Sequence, residues 1–480
     1  MWLGVHGTLD APSILDHRGR VAEGQHVTWG HWYEIRSYLR SAVWTAPVIA
    51  LALQQATFRI ASARQLDFGS IPGFVYSREG AIAIADYVIT SATAFIVFTF
   101  GSMIVAIQVA SGQSSPRVIA TMLLRDRAIR LSVGVFTYAL LLAVAVKARI
   151  DTIPQSLISI TGVLALISVI VFLFLIDHAA KLLRPVTIVT RIAEDGLTVI
   201  DDVYPDPIAA APAGMPVADT ARPAASREKL GHPERTIAHC GKSAVVIAVN
   251  LKALAAEARR ADTVVELVPR VGDFVSTGDP LFRQHGGPVA IDDRILHGNV
   301  AFGRERTLEQ DSTFAFRVIV DIAIKALSAA INDPTTAVIA IDSLQPLLRT
   351  VGMRDLRNDS VWDADGRRRV LVRTPDWNDF VQLAFSEIRH YGASNLQVAR
   401  RLRALLESLM EVLPESRVPA LRREWQLLDR SVQRLFPFAE DLALARTPDP
   451  QGLGGTCEHD APPRPQPEHL SAVDKPRSSR

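Results

Sequence analysis

The chain has 480 residues, of which 48% are apolar and 21% charged, and its mean hydropathy lies above zero. Lys and Arg number 52 against 50 Asp and Glu, a balance that leaves no basic excess for a nucleic-acid partner. The two cysteines, Cys240 and Cys457, are far apart in sequence and have no metal-ligand spacing, so neither a disulfide framework nor a zinc site is implied.

Residues 1–32 are polar, rich in Gly and His, and lack the apolar core of a signal peptide; they read as a disordered lead. His6, His17, His26 and His31 are scattered without the short fixed spacing of metal ligands. Residues 33–197 read as an α-helical membrane domain of four transmembrane helices. The first span, 41–61, is led by Tyr33, Tyr38, Trp44 and the basic pair Arg36 and Arg40, aromatic and cationic marks of a membrane interface. Gln54, Gln55 and Arg59 weaken its far half. The second, 81–110, has Asp86 near its start and Gln108 near its end, and its hydroxyl residues, among them Thr90, Ser91 and Ser102, let helices approach and hydrogen-bond. Arg117, Arg125, Arg127 and Arg130 then mark a basic amphipathic element that either lies on anionic lipid or forms the base of the next span.

The third and fourth spans cover 131–146 and 153–176. Asp177 and His178, where the fourth leaves the bilayer, read as an interfacial stop or a titrating pair. Nine basic residues (Arg36, Arg40, Arg117, Arg125, Arg127, Arg130, Lys181, Arg184, Arg191) fall on one side of this arrangement and five (Arg59, Arg64, Arg78, Lys147, Arg149) on the other. The positive-inside rule therefore predicts a multi-pass protein of a bacterial inner membrane with both termini cytoplasmic.

Residues 204–235, dominated by Pro, Ala and charge, cannot bury a core and read as a flexible linker. A cytoplasmic α+β domain is expected over 237–436, opening with a small β-unit: strands at 243–249 and 263–268, a short helix at 251–260, and turns at Gly272, Asp273, Gly278, Asp279 and Pro280. Residues 268–282 are similar to the turn-rich edge of a biotinyl/lipoyl-like barrel, but the modified lysine of such carriers is missing, so no carrier chemistry is expected.

A helix over 312–330 and a second beginning at Pro334 follow, with Asn332 and Asp333 suited to the joint. Arg317, Asp321, Lys325, Ser328 and Asn332 fall within about 80° of one another on the first helix. This stripe is a solvated face laced by i,i+4 pairs, or, with its neighbours, an anion or partner site formed by Arg304, Arg306, Asp321, Lys325, Asn332 and Asp333. Asp311, Asp321, Asp333 and Asp342 would hold a divalent cation only if the helices converged them; caps and surface pairs are the more natural use. A strand at 369–373 follows, where Arg367, Arg368 and Arg369 read as a surface charge run or, as the alternative, an anion site; packing helices at 377–391, 395–413 and 419–436 complete the helical C-terminal part, and 446–480 reads as a disordered tail. No P-loop, dinucleotide fingerprint, HExxH, G-x-S-x-G or paired-Cys motif occurs, and no catalytic residue, cofactor or metal is inferred.

The runs GRERTLEQD, 303–311, and VDIAIKALSAAINDPTTA, 320–337, resemble a bacterial membrane-protein family, domain of unknown function 2254; residues 114–146 are similar to its second signature, and the likeness spans 36–435. The family usually reads ALSPGINDPFTA where this chain has Ala329, Ala330 and Thr336, which predicts a more helical turn before Asn332. The resemblance implies an integral membrane protein with a soluble C-terminal part. Two functions remain open. One is a channel-like or transport-related oligomer, gated by its cytoplasmic domain and using Gln54, Gln55, Asp86 and Gln108. The other is a membrane-anchored sensor or scaffold whose cytoplasmic helix pair binds a partner. The expected partners are the lipid bilayer, further copies of the chain, and a cytoplasmic protein or small anion.

Overall fold

A computed structural model describes residues 28–41, 44–64, 76–113, 126–150, 155–182, 184–208, 231–357 and 359–454. Among the described residues the chain opens with six helices: α1 (Trp29–Ser41), α2 (Thr45–Arg64), α3 (Arg78–Gln113), α4 (Arg127–Ala148), α5 (Gln155–Leu182) and α6 (Pro185–Val203). Three stretches, Arg78–Gln108, Arg127–Ala148 and Gln155–Leu182, are long and apolar enough to cross a membrane. The shortest has 22 residues, a rise of about 33 Å against a hydrocarbon thickness of about 30 Å. Val97, Phe98, Leu131, Leu166, Ile170 and Leu173 stay exposed along them, which suits lipid and not water. Inside, small side chains let the backbones close up: Val88 and Ala92 of α3 meet Ala139 and Ala143 of α4.

The helix α2 carries Gln54, Gln55 and Arg59 and is not one of the three. It packs on α4, where Ala61 joins Leu142 and Val146 and the Thr57 hydroxyl lies 2.9 Å from the Tyr138 hydroxyl. The three apolar helices reach past the expected spans, α3 at both ends, α4 beginning at Arg127 and α5 running to Leu182. The basic element between α3 and α4 falls largely on residues 114–125, outside the described residues.

The C-terminal body has eight strands: β1 (Arg235–Ala238), β2 (Ala244–Val249), β3 (Val264–Leu267), β4 (Phe274–Val275), β5 (Pro280–His285), β6 (Val300–Gly303), β7 (Ser360–Trp362) and β8 (Arg368–Leu371). They form a five-stranded sheet in the order β1-β5-β3-β8-β7 and a three-stranded sheet in the order β4-β2-β6. The strand β8 runs parallel to β3, with Val370 opposite Val265. Thus the hairpin β7–β8, which follows two helices in sequence, completes the sheet begun before them. The helices α7 (Leu251–Arg260) and α8 (Asp293–Gly298) close its core of Ile237, Leu254, Val265, Phe282, Leu296 and Val370.

A helical bundle forms the remainder: α9 (Phe314–Ala326), α10 (Pro334–Gly352), α11 (Trp377–Gly392), α12 (Leu396–Val412), α13 (Val418–Leu435) and α14 (Ala439–Arg446). The α9 helix is shorter than the 312–330 read from the sequence, and the expected extra helicity before Asn332 is not found. Asn332 takes φ +47, its N–H donates to the Ser328 carbonyl at 2.8 Å, and the Asp333 N–H donates to the Ala326 carbonyl at 2.8 Å. A left-handed residue so bonded closes a helix, and Asn tolerates that conformation better than most.

Both ends of the membrane region pack on this C-terminal body. Ile188, Val189, Ile192 and Ile200 of α6 enter the bundle core beside Phe316, Ile319, Ile341 and Leu344 of α9 and α10. On α1, Trp29 and Tyr33, with rings 5.1 Å apart, lie against Ile247, Ala248 and Ala301 of the small sheet. The Phe302 N–H donates to Glu34 Oε1 at 3.2 Å. A Cβ on Gly30 would sit 2.3 Å from the Val300 carbonyl oxygen, so only glycine permits this approach. Helix α1 therefore begins inside the stretch read as a lead, whose residues 1–27 lie outside the described residues.

Candidate functional site

The polar stripe of α9 is tied into the bundle. Arg317 Nε donates to Asp321 at 2.9 Å, the expected i,i+4 pair, while its Nη1 donates to Glu387 of α11 at 2.6 Å. Asp333 caps α10, accepting from the Thr336 N–H at 3.1 Å. Asp342 accepts from Arg401 of α12. Each of these carboxylates thus has its own partner, and among the described residues no three His, Cys, Asp or Glu side chains are grouped as a metal site. Asp321 and Lys325 lie on α9, Asn332 and Asp333 in the joint, and Arg304 is exposed just after β6. Arg306 turns elsewhere, toward Asp311.

Arg306 and Asp311 belong to the segment that carries the chain from the small sheet to the bundle. Asp311 is only 5% exposed. Its Oδ1 accepts from the Thr313 N–H at 3.0 Å and the Thr313 hydroxyl at 2.6 Å. Its Oδ2, with no hydrogen-bond partner among the described residues, lies 3.7 Å from Arg306 Nη1. Burial pushes this carboxyl above its ordinary value, against the pull of the Thr313 hydrogen bonds and the Arg306 charge. The turn before β4 presses on it: a Cβ at Gly272, whose φ is +93, would lie 2.3 Å from Asp311 Oδ2. Nearby, Tyr204, at the end of α6, sits 3.5 Å from the Ser312 hydroxyl, and burial pushes its phenol up to about 12.

Beside this seam Arg270 Nη1 donates to Asp379 at 3.1 Å, joining the β3–β4 turn to the first turn of α11. There a cleft of ≈ 310 Å³ opens, bordered by Arg270, Arg357, Arg373, Arg417 and Arg423. Arg357 is held by Asp355 at 2.6 Å; Arg417 donates to the Arg354 carbonyl at 3.0 Å and lies 5.7 Å over the Trp377 ring. Arg373 and Arg423 are exposed and have no side-chain hydrogen bond or ion pair among the described residues. Arg373 also lines a second recess, of ≈ 360 Å³, together with Arg306 and Phe274. Of the six residues singled out in the sequence, Arg306 alone borders either recess. Arg270, Arg373 and Arg423 were not singled out; the turn residues around Arg270 were the nearest signal.

In the membrane region, Gln54 is buried while Gln55 and Gln108 are exposed. Asp86 of α3 pairs with Lys147 of α4. A second cluster ties the base of the helices together. Asp126 is buried at the N-terminus of α4 and caps it, its Oδ1 accepting from the Ala128 N–H at 2.9 Å and the Ile129 N–H at 3.2 Å. His178 Nε2, on α5, lies 3.1 Å from Oδ1, and Arg191, on α6, donates to Oδ2 at 2.9 Å. The partner of His178 is therefore Asp126, while Asp177 accepts from Lys181 at 2.6 Å.

Long apolar helices that precede a sheet-containing, mostly helical body define a membrane protein with a substantial C-terminal region. The model of a family described as predicted membrane protein, domain of unknown function 2254, matches residues 38–408, and the chain belongs to that family. Similar relatives include an uncharacterized protein of Mycobacterium bovis, 28% identical over 431 residues that cover 85% of this chain and 80% of the relative. An uncharacterized protein of Mycobacterium tuberculosis is 28% identical with the same coverage. No solved structure matches the chain.

Proposed function

We propose that the protein is a four-span anchor of the bacterial inner membrane that holds a cytoplasmic sensor or scaffold domain against the membrane. The observation that carries this reading is that α1 and α6, on either side of the apolar helices, both pack on the same C-terminal body. A chain that enters and leaves the bilayer at one face crosses it an even number of times. With three apolar spans among the described residues, α2 is the helix that would complete an even number. Its 20 residues reach about 30 Å. Val48, Ile49, Leu51 and Leu53 face outward and Gln54 is buried. The excess of Arg and Lys on the side of α1 and α6 favours the cytoplasm as that face.

The interior of the four helices favours an anchor over a pore. The contact of α3 with α4 is lined by Ala and Val. The buried hydroxyls of Ser132, Thr161 and Ser168 donate to carbonyls of their own helices at 2.8, 2.7 and 2.8 Å, so each is turned back onto its own backbone. A water-filled path would have to form between copies of the chain. Ion and small-solute flux through proteoliposomes separates the two functions. The full-length protein and a version cut after Arg191 are both expected to be silent; flux in the first that the cut alters would establish a gated pore instead.

A further inference from the structure

We infer that the cleft between the β-unit and the helical bundle binds a small organic phosphate monoester through Arg270, Arg373 and Arg423. This deepens the sensor reading and rests on it for its purpose, since it names what the domain would sense; the site itself does not depend on the number of membrane spans.

The argument is one of uncompensated charge. Several arginines packed into this body are met by carboxylates, Arg369 by Asp363 at 2.6 Å and Asp262 at 2.9 Å, Arg403 and Arg446 by Asp429 at 2.7 and 2.8 Å, and Arg389 by Glu424 at 3.2 Å, while Arg400 and Arg417 are met by backbone carbonyls. Arg373, on the chain leaving β8, and Arg423, on α13, come from separate elements to line one cleft, and neither is met among the described residues. The carboxylates bordering the cleft do not answer them. Asp355 is engaged by Arg357, Asp359 accepts from the Ser360 hydroxyl at 3.1 Å, and Asp376 and Asp379 exchange the hydrogen bonds that cap α11. Arg270, fixed by Asp379 at 3.1 Å, adds a third guanidinium whose position is already set.

Guanidinium forks match the oxygens of phosphate and carboxylate in pairs. Two guanidinium forks without partners, beside a third, suit the three terminal oxygens of a phosphate monoester better than the two of a carboxylate. Leu371, Pro375 and Ala420 give the same cleft an apolar wall for the organic part. Its ≈ 310 Å³ lies at the small end of ligand sites, which run from about 300 to 1,000 Å³. That size suits a small metabolite or a single headgroup and excludes a polymer.

The test is calorimetric titration of glycerol 3-phosphate into the full-length chain held in phosphatidylcholine nanodiscs. The expected result is saturable binding that inorganic phosphate competes away. Arg373→Gln and Arg423→Gln should each weaken it at least tenfold, while Arg422→Gln and Arg430→Gln, exposed arginines outside the cleft, leave it unchanged. Thermal unfolding of each variant confirms that it folds, both cleft arginines being exposed. A second arm repeats the titration in discs containing phosphatidic acid. Suppressed binding there identifies the lipid headgroup as the source of the monoester, and unchanged binding identifies a soluble one. No saturable binding at millimolar ligand, or equal losses in all four variants, overturns the proposal and leaves the membrane anchor untouched.

Discussion

At the scale of single residues, a tight constraint falls at Gly272. A Cβ there meets Asp311 Oδ2 at 2.3 Å, and Asp311 cannot swing away because Thr313 holds its other oxygen at 2.6 and 3.0 Å. With φ at +93 the backbone is strained as well for any other residue. Gly272→Ala is expected to cost about 1 to 3 kcal/mol, read as a lowered midpoint of thermal unfolding. Glu387 gives a milder, pH-dependent case. Its hydrogen bond to Arg317 holds the carboxyl below its ordinary value, the Arg317 charge adding to the effect against a smaller cost of burial. A depressed folded value means stability present above the unfolded value near pH 4.3 and lost as pH falls through the folded one. Glu387 is half exposed, so Glu387→Gln should lower stability by less than about 1 kcal/mol at pH 7. The difference from the parent should shrink as pH falls below the ordinary glutamate range. Local pairs such as Arg317 with Asp321, and the cap at Asp333, were legible in the sequence because they lie within one or two turns. Glu387, 70 residues from Arg317, and Asp379, 109 from Arg270, were not, because only the packing of separate elements joins them.

At the scale of elements, helices were legible from their apolar period and their caps, with errors at the ends. The α9 helix stops at Ala326 because a left-handed Asn332 is bonded back to Ser328, which apolar spacing does not reveal. Strand β8 was recognised as a strand, but its parallel pairing with β3 across three intervening helices leaves no local trace. Two junctions carry predictions. Asp126 combines a helix cap with contacts to His178 and Arg191. Asp126→Asn keeps a capping oxygen and loses the charge, whereas Asp126→Ala loses both. The alanine variant is expected to unfold more easily than the asparagine variant by about 1 kcal/mol. The second junction is α1 on the small sheet, where Ala301 is fully buried. In a background lacking Cys240 and Cys457, a cysteine replacing Ala301 should resist maleimide labelling. Adding Gly30→Leu should lift α1 and open that cysteine to the reagent; continued protection would show that α1 does not seal this face.

At the scale of the whole molecule, α1 and α6 bracket the apolar helices and pack on one body, which makes the number of crossings a matter of parity. Composition exposed the apolar helices, and the excess of Arg and Lys predicts their direction. The docking of α1 was hidden, because Trp29 and Gly30 read as part of a polar lead and Tyr33 as a membrane-interface residue until β6 is placed beneath them. The most direct test is a set of reporter fusions after Asp67, Arg127 and Arg191. The four-span account predicts an external reading after Asp67 and cytoplasmic readings after Arg127 and Arg191. A cytoplasmic reading after Asp67, or an external one after either of the others, would contradict it.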